Sequence, residues 1–303
     1  MSLSRPGAIC VTVVIPTLNE LDRLSACLDS VQWAAEVIVS DAGSTDGTQE
    51  LARQRGAVVI DAAAPTIAEQ RNRAIAAASQ PWVLALDADE RVSPELAASI
   101  ARAIETPRDD VFRVHMRNRY LGATMERGGW GRDRHVRLFP STMRYSVKRV
   151  HEGLEFVGTV GDLAGRVDHD SYRDLHHQLV KVTTYAKWGA EDLFARGKRA
   201  GVAELAVRPF WRFIKCYLIQ GACLEGYRGL VLAVVHAWSA FAKYAILWDM
   251  QRVAHARVAN DPVIATKSAI ASPGATPVRT PLVDVTPLAD VRSPHRDVQS
   301  RSA

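Results

Sequence analysis

An α/β fold on a mostly parallel sheet is what the first 90 residues predict. Three observations carry that expectation: charge-free β-branched runs, amphipathic helical stretches between them, and acids where the runs end. Residues 9–15 carry no charge and stop at Pro16, the pattern of an interior strand covered on both faces, so Cys10 is expected to be buried there. Thr17, Asn19 and Glu20 come next, after which Leu21, Leu24, Leu28 and Val31 recur at helical spacing. Residues 37–40 form a second apolar run ending in Asp41, and the chain then passes through residues 43–48, where Thr45 or Asp46 can cap the helix carrying Leu51. A third strand is expected at 57–60, a helix at 67–78, and a fourth strand from Trp82 into Asp87-Ala88-Asp89-Glu90. Strands alternating with helices imply right-handed crossovers, and ligands of such sheets sit beyond the carboxyl ends of the strands. Residues 16–20, Asp41 and residues 87–89 all fall at those ends.

Carboxylates at i and i+2 on a strand end, as in Asp87 and Asp89, suit a hard divalent cation. Magnesium or manganese usually takes one or two protein carboxylates and completes its shell with water and phosphate oxygens, so a sparse pair fits a nucleotide-bound metal better than a closed cage. Alone, the motif also occurs in solvated strand-end turns.

In this order, the segment from Val13 through Pro16 to Glu20, the segment from Asp41 to Thr48, Gln70-Arg71-Asn72 and Asp87-Ala88-Asp89 resemble the inverting nucleotide-sugar glycosyltransferases of family 2, which have the GT-A fold. The likeness extends through Arg137-Leu138-Phe139 and Val150-His151-Glu152 to the apolar C-terminal region, over roughly residues 8–250, and there resembles the lipopolysaccharide core β-1,4-glucosyltransferases. Ala42 departs from it, standing where many relatives carry Asp or Asn. The resemblance implies a nucleotide-sugar site made by Pro16, Thr17, Asn19, Glu20, Asp41, Arg71, Asp87 and Ala88. Within it, Asp41 would accept a hydrogen bond from the uracil imide, Arg71 would bring a planar cation toward base or diphosphate, and Asp87 would lie on the ribose side. Asp89 would ligate Mg2+ or Mn2+, with His169 as a further ligand. Glu152 would be the base that deprotonates the acceptor hydroxyl, with His151 orienting it. Each residue also has a plainer reading: Asp41 and Glu20 as helix-cap acids, Arg71 in an ion pair, Glu152 paired with Lys148 or Arg149, His169 as a structural histidine.

The chain has 303 residues, a net charge of +5 and four cysteines with no close metal-ligand spacing, which reads as reduced thiols. The first seven residues lack the apolar core of a secretory signal. Residues 209–248 mix Trp, Tyr and Phe with Arg212, Lys215, Arg228 and Lys243, and the longest uncharged stretch, 229–242, is shorter than a spanning helix. Two helices lying in a membrane interface fit that pattern, with a packed helical hairpin or a dimer interface as the other readings. Prolines punctuate the remainder, which cannot bury enough surface to fold alone. The expected organisation is a catalytic domain at 1–200, a helical membrane-associating or dimerisation region at 201–252 and a disordered tail at 253–303. No stripe of cations with stacking aromatics points to nucleic acid, and the positive charge suits an anionic membrane better.

The expectation is therefore a metal-dependent hexosyltransferase, peripheral on the cytoplasmic face of the inner membrane, moving glucose from UDP-glucose to a glycolipid acceptor such as the lipopolysaccharide inner core. A polyprenyl-phosphate glycosyltransferase and a non-catalytic nucleotide-binding scaffold are the alternatives; a base at Glu152 counts against the first and the intact acids against the second.

Overall fold

The computed structural model describes residues 7–64, 66–146 and 153–260. They divide into two compact units, the first ending at Arg173 and the second beginning at Asp174. In the first unit the chain runs β1 (Ile9–Thr17), α1 (Leu21–Asp29), β2 (Ala34–Asp41), α2 (Thr48–Gln54), β3 (Val58–Asp61), α3 (Ile67–Ala76), β4 (Trp82–Ala85), β5 (Glu90–Val92) and α4 (Pro94–Glu105). It continues through β6 (Val111–Tyr120), β7 (Ala123–Thr124), β8 (Arg134–Pro140), β9 (Arg144–Tyr145), β10 (Leu154–Glu155) and β11 (Val160–His169). A nine-stranded sheet has the order β3-β2-β1-β4-β8-β6-β11-β5, with β7 paired to β6, while β9 and β10 form a separate hairpin.

β1 lies between β2 and β4, parallel to both. Its side chains alternate between two cores: Val11, Val13 and Ile15 pack with Leu24, Cys27 and Leu28 of α1 and Leu96 and Ile100 of α4, whereas Val14 packs with Ala74 and Ile75 of α3. Burial on both faces is why this strand reads as a continuous apolar run. Pairing of β1 with β2 continues past Pro16 to Thr17, opposite Asp41, so the strand outlasts the proline expected to stop it. Pairing with β4 ends earlier, at Val14 and Ala85. Cys10, at the start of β1, is exposed rather than buried, and all four cysteines are free.

The expected α/β sheet with flanking helices is present, but it is mixed. β8 runs antiparallel to both β4 and β6, and β5 antiparallel to β11, while β6 and β11 are parallel. The antiparallel register of β5 and β11 sets His169 opposite Glu90, which brings the far end of the unit back to the acidic turn.

The second unit contains α5 (Leu175–Ala195), α6 (Val202–Ile214), a π-helical turn at Lys215–Ile219, a 3-10 turn at Ala222–Glu225 and α7 (Gly226–Asn260). Asp174 caps α5, its carboxylate accepting from the His177 amide at 2.7 Å. α5 and α6 both pack on α7, with Ala190, Ala200 and Leu247 buried between elements. The helical unit therefore starts with α5, ahead of the boundary expected at residue 200, and α7 continues past residue 252 to Asn260; most of the expected tail lies outside the described residues. Residues 209–248, where two interfacial helices were expected, hold the end of α6 and most of α7, the latter a single helix of 35 residues. The helical stretch Ala222–Ala256 includes an 18-residue window of mean hydropathy 1.7, 28% buried, which by length and composition could cross a bilayer.

Gly165 shows how closely β11 and α4 approach. It has φ +89°, sits where the β11–β6 register shifts, and a Cβ there would stand 2.3 Å from the Leu96 amide nitrogen. Gly122 has φ +80° with open space around it. Gly165→Ala should therefore lower the unfolding free energy by about 3 kcal/mol or more, through strain plus overlap, against roughly 1–2 kcal/mol for Gly122→Ala, which carries strain alone. Urea denaturation of the two variants reads the difference, and equal losses would mean that the α4–β11 approach is not tight.

Candidate active site

The loops after β1 and β2 are held together by side chains from each. Asn19, itself at φ +56°, accepts from the Thr45 amide at 2.9 Å, and its own amide donates to Ser44 Oγ at 2.8 Å. Asp46 accepts from the amides of Leu21 and Thr48 at 3.1 and 3.0 Å. Asp41 is the hub. Fully buried, its carboxylate accepts from Thr17 Oγ1, the Gly43 and Ser44 amides, Ser44 Oγ and Gln49 Nε2, all within 2.9 Å. Burial opposes its charge, but these donors outweigh it and hold the carboxyl below the usual range. As placed, Asp41 is saturated, so a base N–H reaching it would have to displace one of these donors. Pro16 and Thr17 are buried beside it, Glu20 is half-buried and Asn19 is exposed. Arg173 clamps the outer edge, donating to Asp22 at 2.8 Å, Glu20 at 3.1 Å and the Asn19 carbonyl at 3.2 Å.

Three consecutive side chains at the start of α3 reach in three directions. Gln70 donates to the carbonyls of Thr17 and Ser40, tying α3 to β1 and β2. Arg71 donates to Asp87 at 2.7 Å and lies against the Tyr145 ring. Asn72 exchanges two hydrogen bonds with the Tyr145 backbone, at 2.8 and 2.9 Å. The Ser146 amide then donates to the Gly153 carbonyl at 2.8 Å. His151 and Glu152 lie in that segment, outside the described residues.

At the end of β4 the chain makes a tight acidic turn. Asp87, Asp89 and Glu90 are 2%, 4% and 0% exposed, a concentration of buried carboxylate that needs compensating cations. Arg71 binds one oxygen of Asp87, and Arg137 of β8 binds the other at 3.2 Å while donating to Glu90 at 2.6 Å. The Asp87 amide donates to Glu90 at 2.9 Å and closes the turn. Arg71 thus meets the site through a buried ion pair with Asp87 rather than as an open cation, and the Ala88 side chain belongs to the core. Burial pushes Glu90 up to about 7 against the pull of Arg137, with Asp87 and Asp89 adding repulsion.

Asp89 is the acid directed elsewhere. Its Oδ2 is 3.2 Å from Arg23 Nη1 and 3.6 Å from His169 Nε2. His169 Nδ1 lies 2.9 Å from Asn118 Oδ1 and 3.2 Å from Ser171 Oγ. The Asn118 amide nitrogen is directed to Asp133 and the Trp130 carbonyl, which leaves its oxygen for His169 and places a proton on Nδ1. Nε2 then faces Asp89. Burial lowers the imidazole, but Asp89 first, then Glu90 and Asp87, outweigh it and raise His169 to about 9. Held through Nδ1 and set beside the Asp89 carboxylate of the acidic turn, this imidazole would become a ligand for a divalent cation on losing its Nε2 proton. Among the described residues, no group of three or more His, Cys, Asp or Glu forms a closed metal cage.

The family model described as glycosyl transferase family 2 matches residues 12–155. That stretch spans the Asp41 loop, the α3 residues and the acidic turn. Residues 12–155 are therefore similar to the family 2 glycosyl transferases. The chain is 29% identical over 252 residues to the lipopolysaccharide core biosynthesis glycosyltransferase LpsC of Rhizobium meliloti (strain 1021), covering 79% of this chain and 92% of that one. To an uncharacterised glycosyltransferase of Rickettsia prowazekii (strain Madrid E) it is 29% identical over 266 residues, covering 79% and 87%. Among solved structures, glucosyl-3-phosphoglycerate synthase from Mycobacterium tuberculosis, in complex with Mn2+, UDP and glucosyl-3-phosphoglycerate, matches at 27% identity and a TM-score of 0.31 over 38% of this chain. The match spans 45% of that chain, under half of its length.

Sequence reasoning assigned no role to Arg23, Glu90, Asn118, Arg137 or Arg173. For Arg137 the signal was present: a cation inside the apolar run 136–139 has to meet a buried acid. Arg23 likewise lies among the buried positions of α1. Asn118 and Arg173 gave no such signal, because their partners are separated from them by more than fifty residues in the chain.

Two expectations test this electrostatic frame. Arg137→Met should cost about 3–5 kcal/mol in urea denaturation, because it leaves Asp87 and Glu90 under-compensated in the core, whereas Arg113→Met, which breaks an exposed pair with Asp162, should cost under about 1 kcal/mol. Glu20 is pushed up to about 7 by burial and by the negative charge of Asp89, against Arg173 and Arg23. The folded state then binds more protons than the unfolded state between about pH 4.5 and 7, so this group's contribution to stability declines as pH rises through that window. Measured in chelator, Glu20→Gln should flatten the slope of unfolding free energy against pH there; an unchanged slope would assign it to other groups.

Proposed function

We propose that this glycosyltransferase moves a hexose, glucose in the first instance, from a uridine diphosphate sugar to a membrane-associated glycan of the lipopolysaccharide-core type, with inversion. The observation that carries this reading is the Asp89–His169 pair, which closes on the carboxyl ends of β1, β2 and β4 from the far side of the sheet. Similarity to LpsC over most of both chains supports the acceptor class. In this reading Asp89 and His169 hold Mg2+ or Mn2+, which when bound neutralises the departing diphosphate.

The chain's own residues do the rest. Asn19, Glu20 and the Asp41–Thr48 loop form the nucleoside wall, and Asp41 keeps that loop rigid through its donors while remaining the acceptor for the base imide, at the expense of one of them. Asp87 stays ionised between Arg71 and Arg137, on the ribose side. Ala88 contributes backbone to the same turn. Glu152 takes the proton of the acceptor hydroxyl and His151 orients it; the β9–β10 hairpin, fastened to α3 by Asn72, brackets these two residues. The helical unit meets the membrane that carries the acceptor.

A screen of nucleotide sugars, reading nucleotide diphosphate release with membrane extract as acceptor, tests the activity. Asp89→Asn should lower turnover by a factor on the order of 10³, because charge stabilisation at the leaving group is a large part of catalysis, and Glu152→Gln should lower it by about 10² to 10⁴ with donor affinity kept. Full activity of Asp89→Asn in chelator would overturn the metal assignment. Equal turnover of Glu152→Gln and wild type would favour an acceptor that is already an anion, the polyprenyl-phosphate reading.

A further inference from the structure

The helical unit holds a cluster of cations that the transfer reaction does not use. Arg208 and Arg212 lie one helical turn apart on α6, both exposed, and α6 packs on α7. Across that seam the Arg208 guanidinium and the Lys243 ammonium each lie 4.9 Å from the centre of the Tyr244 ring. The Lys243 stem passes Gly189 of α5, where a Cβ would come within 3.0 Å of its Cδ, so all three helices shape its path. Among the described residues no carboxylate forms an ion pair with Arg208, Arg212 or Lys243. Glu204, one turn before Arg208, is engaged with the Gly201 amide at 2.9 Å.

Three like charges gathered at one seam repel one another and await an anion. Burial, then Arg212 and Arg208, lower Lys243, and burial with Arg212 lowers His236 on the same helix to about 4, leaving that imidazole neutral. Val207 and Trp211, which flank Arg208 and Arg212 on α6, are exposed, as are Phe210 on α6 and, on the face of α7 turned away from Lys243, Val234, Trp238 and Phe241. Cations set among exposed aromatics match the boundary of a bilayer, where phosphates lie just above the acyl chains. A crossing orientation of α7 fits less well, because Lys243 lies mid-helix and a cation at the bilayer centre is costly.

We propose that Arg208, Arg212 and Lys243, at the seam of α6 and α7, bind the phosphate of an anionic lipid headgroup while the neighbouring aromatic side chains enter the acyl boundary. This rests on the reading that the helical unit meets a membrane, and gives that contact a defined site. Arg208 and Arg212 offer planar paired donors and Lys243 a point charge, a set suited to phosphate oxygens.

The test uses the full chain and sedimentation with vesicles of phosphatidylcholine alone or with a quarter of phosphatidylglycerol. Wild type should bind the anionic vesicles and hardly the neutral ones. Changing Arg208, Arg212 and Lys243 together to Gln should weaken that binding on the order of 100-fold, from about a fivefold loss per cation, while the charge-matched change of Lys187, Lys198 and Arg252 to Gln should weaken it far less. Circular dichroism checks the fold of both, and Lys243→Gln alone should give about a fivefold loss if the triple variant is unfolded. Equal losses in the two triple variants would overturn the site while leaving the membrane reading intact. Wild type that ignores both vesicles would overturn the membrane reading and the site with it. Calorimetry with inorganic phosphate separates the sources: tight binding of free phosphate that displaces the protein from anionic vesicles would assign the cluster to a soluble phosphate and overturn the lipid headgroup.

Discussion

Neutralising three buried carboxylates in one turn is the constraint from which the first unit's architecture follows. Each desolvated charge would cost several kcal/mol without a partner, so Asp87 and Glu90 need Arg71 and Arg137, and Asp89 needs Arg23 or an equivalent cation. These arginines come from α3, β8 and α1, so satisfying the acids fixes three elements around the end of β4. The same pairing orders the acids by role. Asp87 and Glu90 are absorbed into the fold, and Asp89 is left at the edge, where His169 arrives from β11.

Rigidity of the nucleotide side has a parallel origin. Asp41 is buried and collects five donors, so the loop after β2 is set before any ligand arrives, and Asn19 and Asp46 lock it to the loop after β1. A preorganised loop loses little conformational entropy on binding, at the expense of acceptor capacity on Asp41 itself. Arg173 ties the outer edge of these loops to the residues just after His169, linking the proposed nucleotide wall and the proposed metal pair through one guanidinium.

The helical unit follows a different logic. Its helices bury Ala190, Ala200 and Leu247 where they pack, and leave aromatic and aliphatic side chains exposed on α6 and α7. No residue of α6 is buried, although it is strongly two-sided, which is the behaviour of a helix whose apolar face serves a surface other than its own core.

The sequence by itself determined the order of the strands and helices around the site, the acids at strand ends and the apolar, cation-studded C-terminal region, because these are local properties: charge-free runs, helical spacing and short motifs within a few residues of one another. The direction of β8, the pairing of β5 with β11 and the partners of Arg71 were decided only by the tertiary structure. The physical reason is that a charge's partner is chosen by sheet register and burial, not by proximity along the chain. Arg71 of α3 closes on Asp87 across 16 residues of chain, and His169 of β11 closes on Asp89 across 80. For the same reason Arg137 reads as one cation in a strand until β8 pairs with β4, and the end of a catalytic domain at residue 200 was legible only as a change of composition, whereas the packing of α5 on α7 sets the break at Arg173.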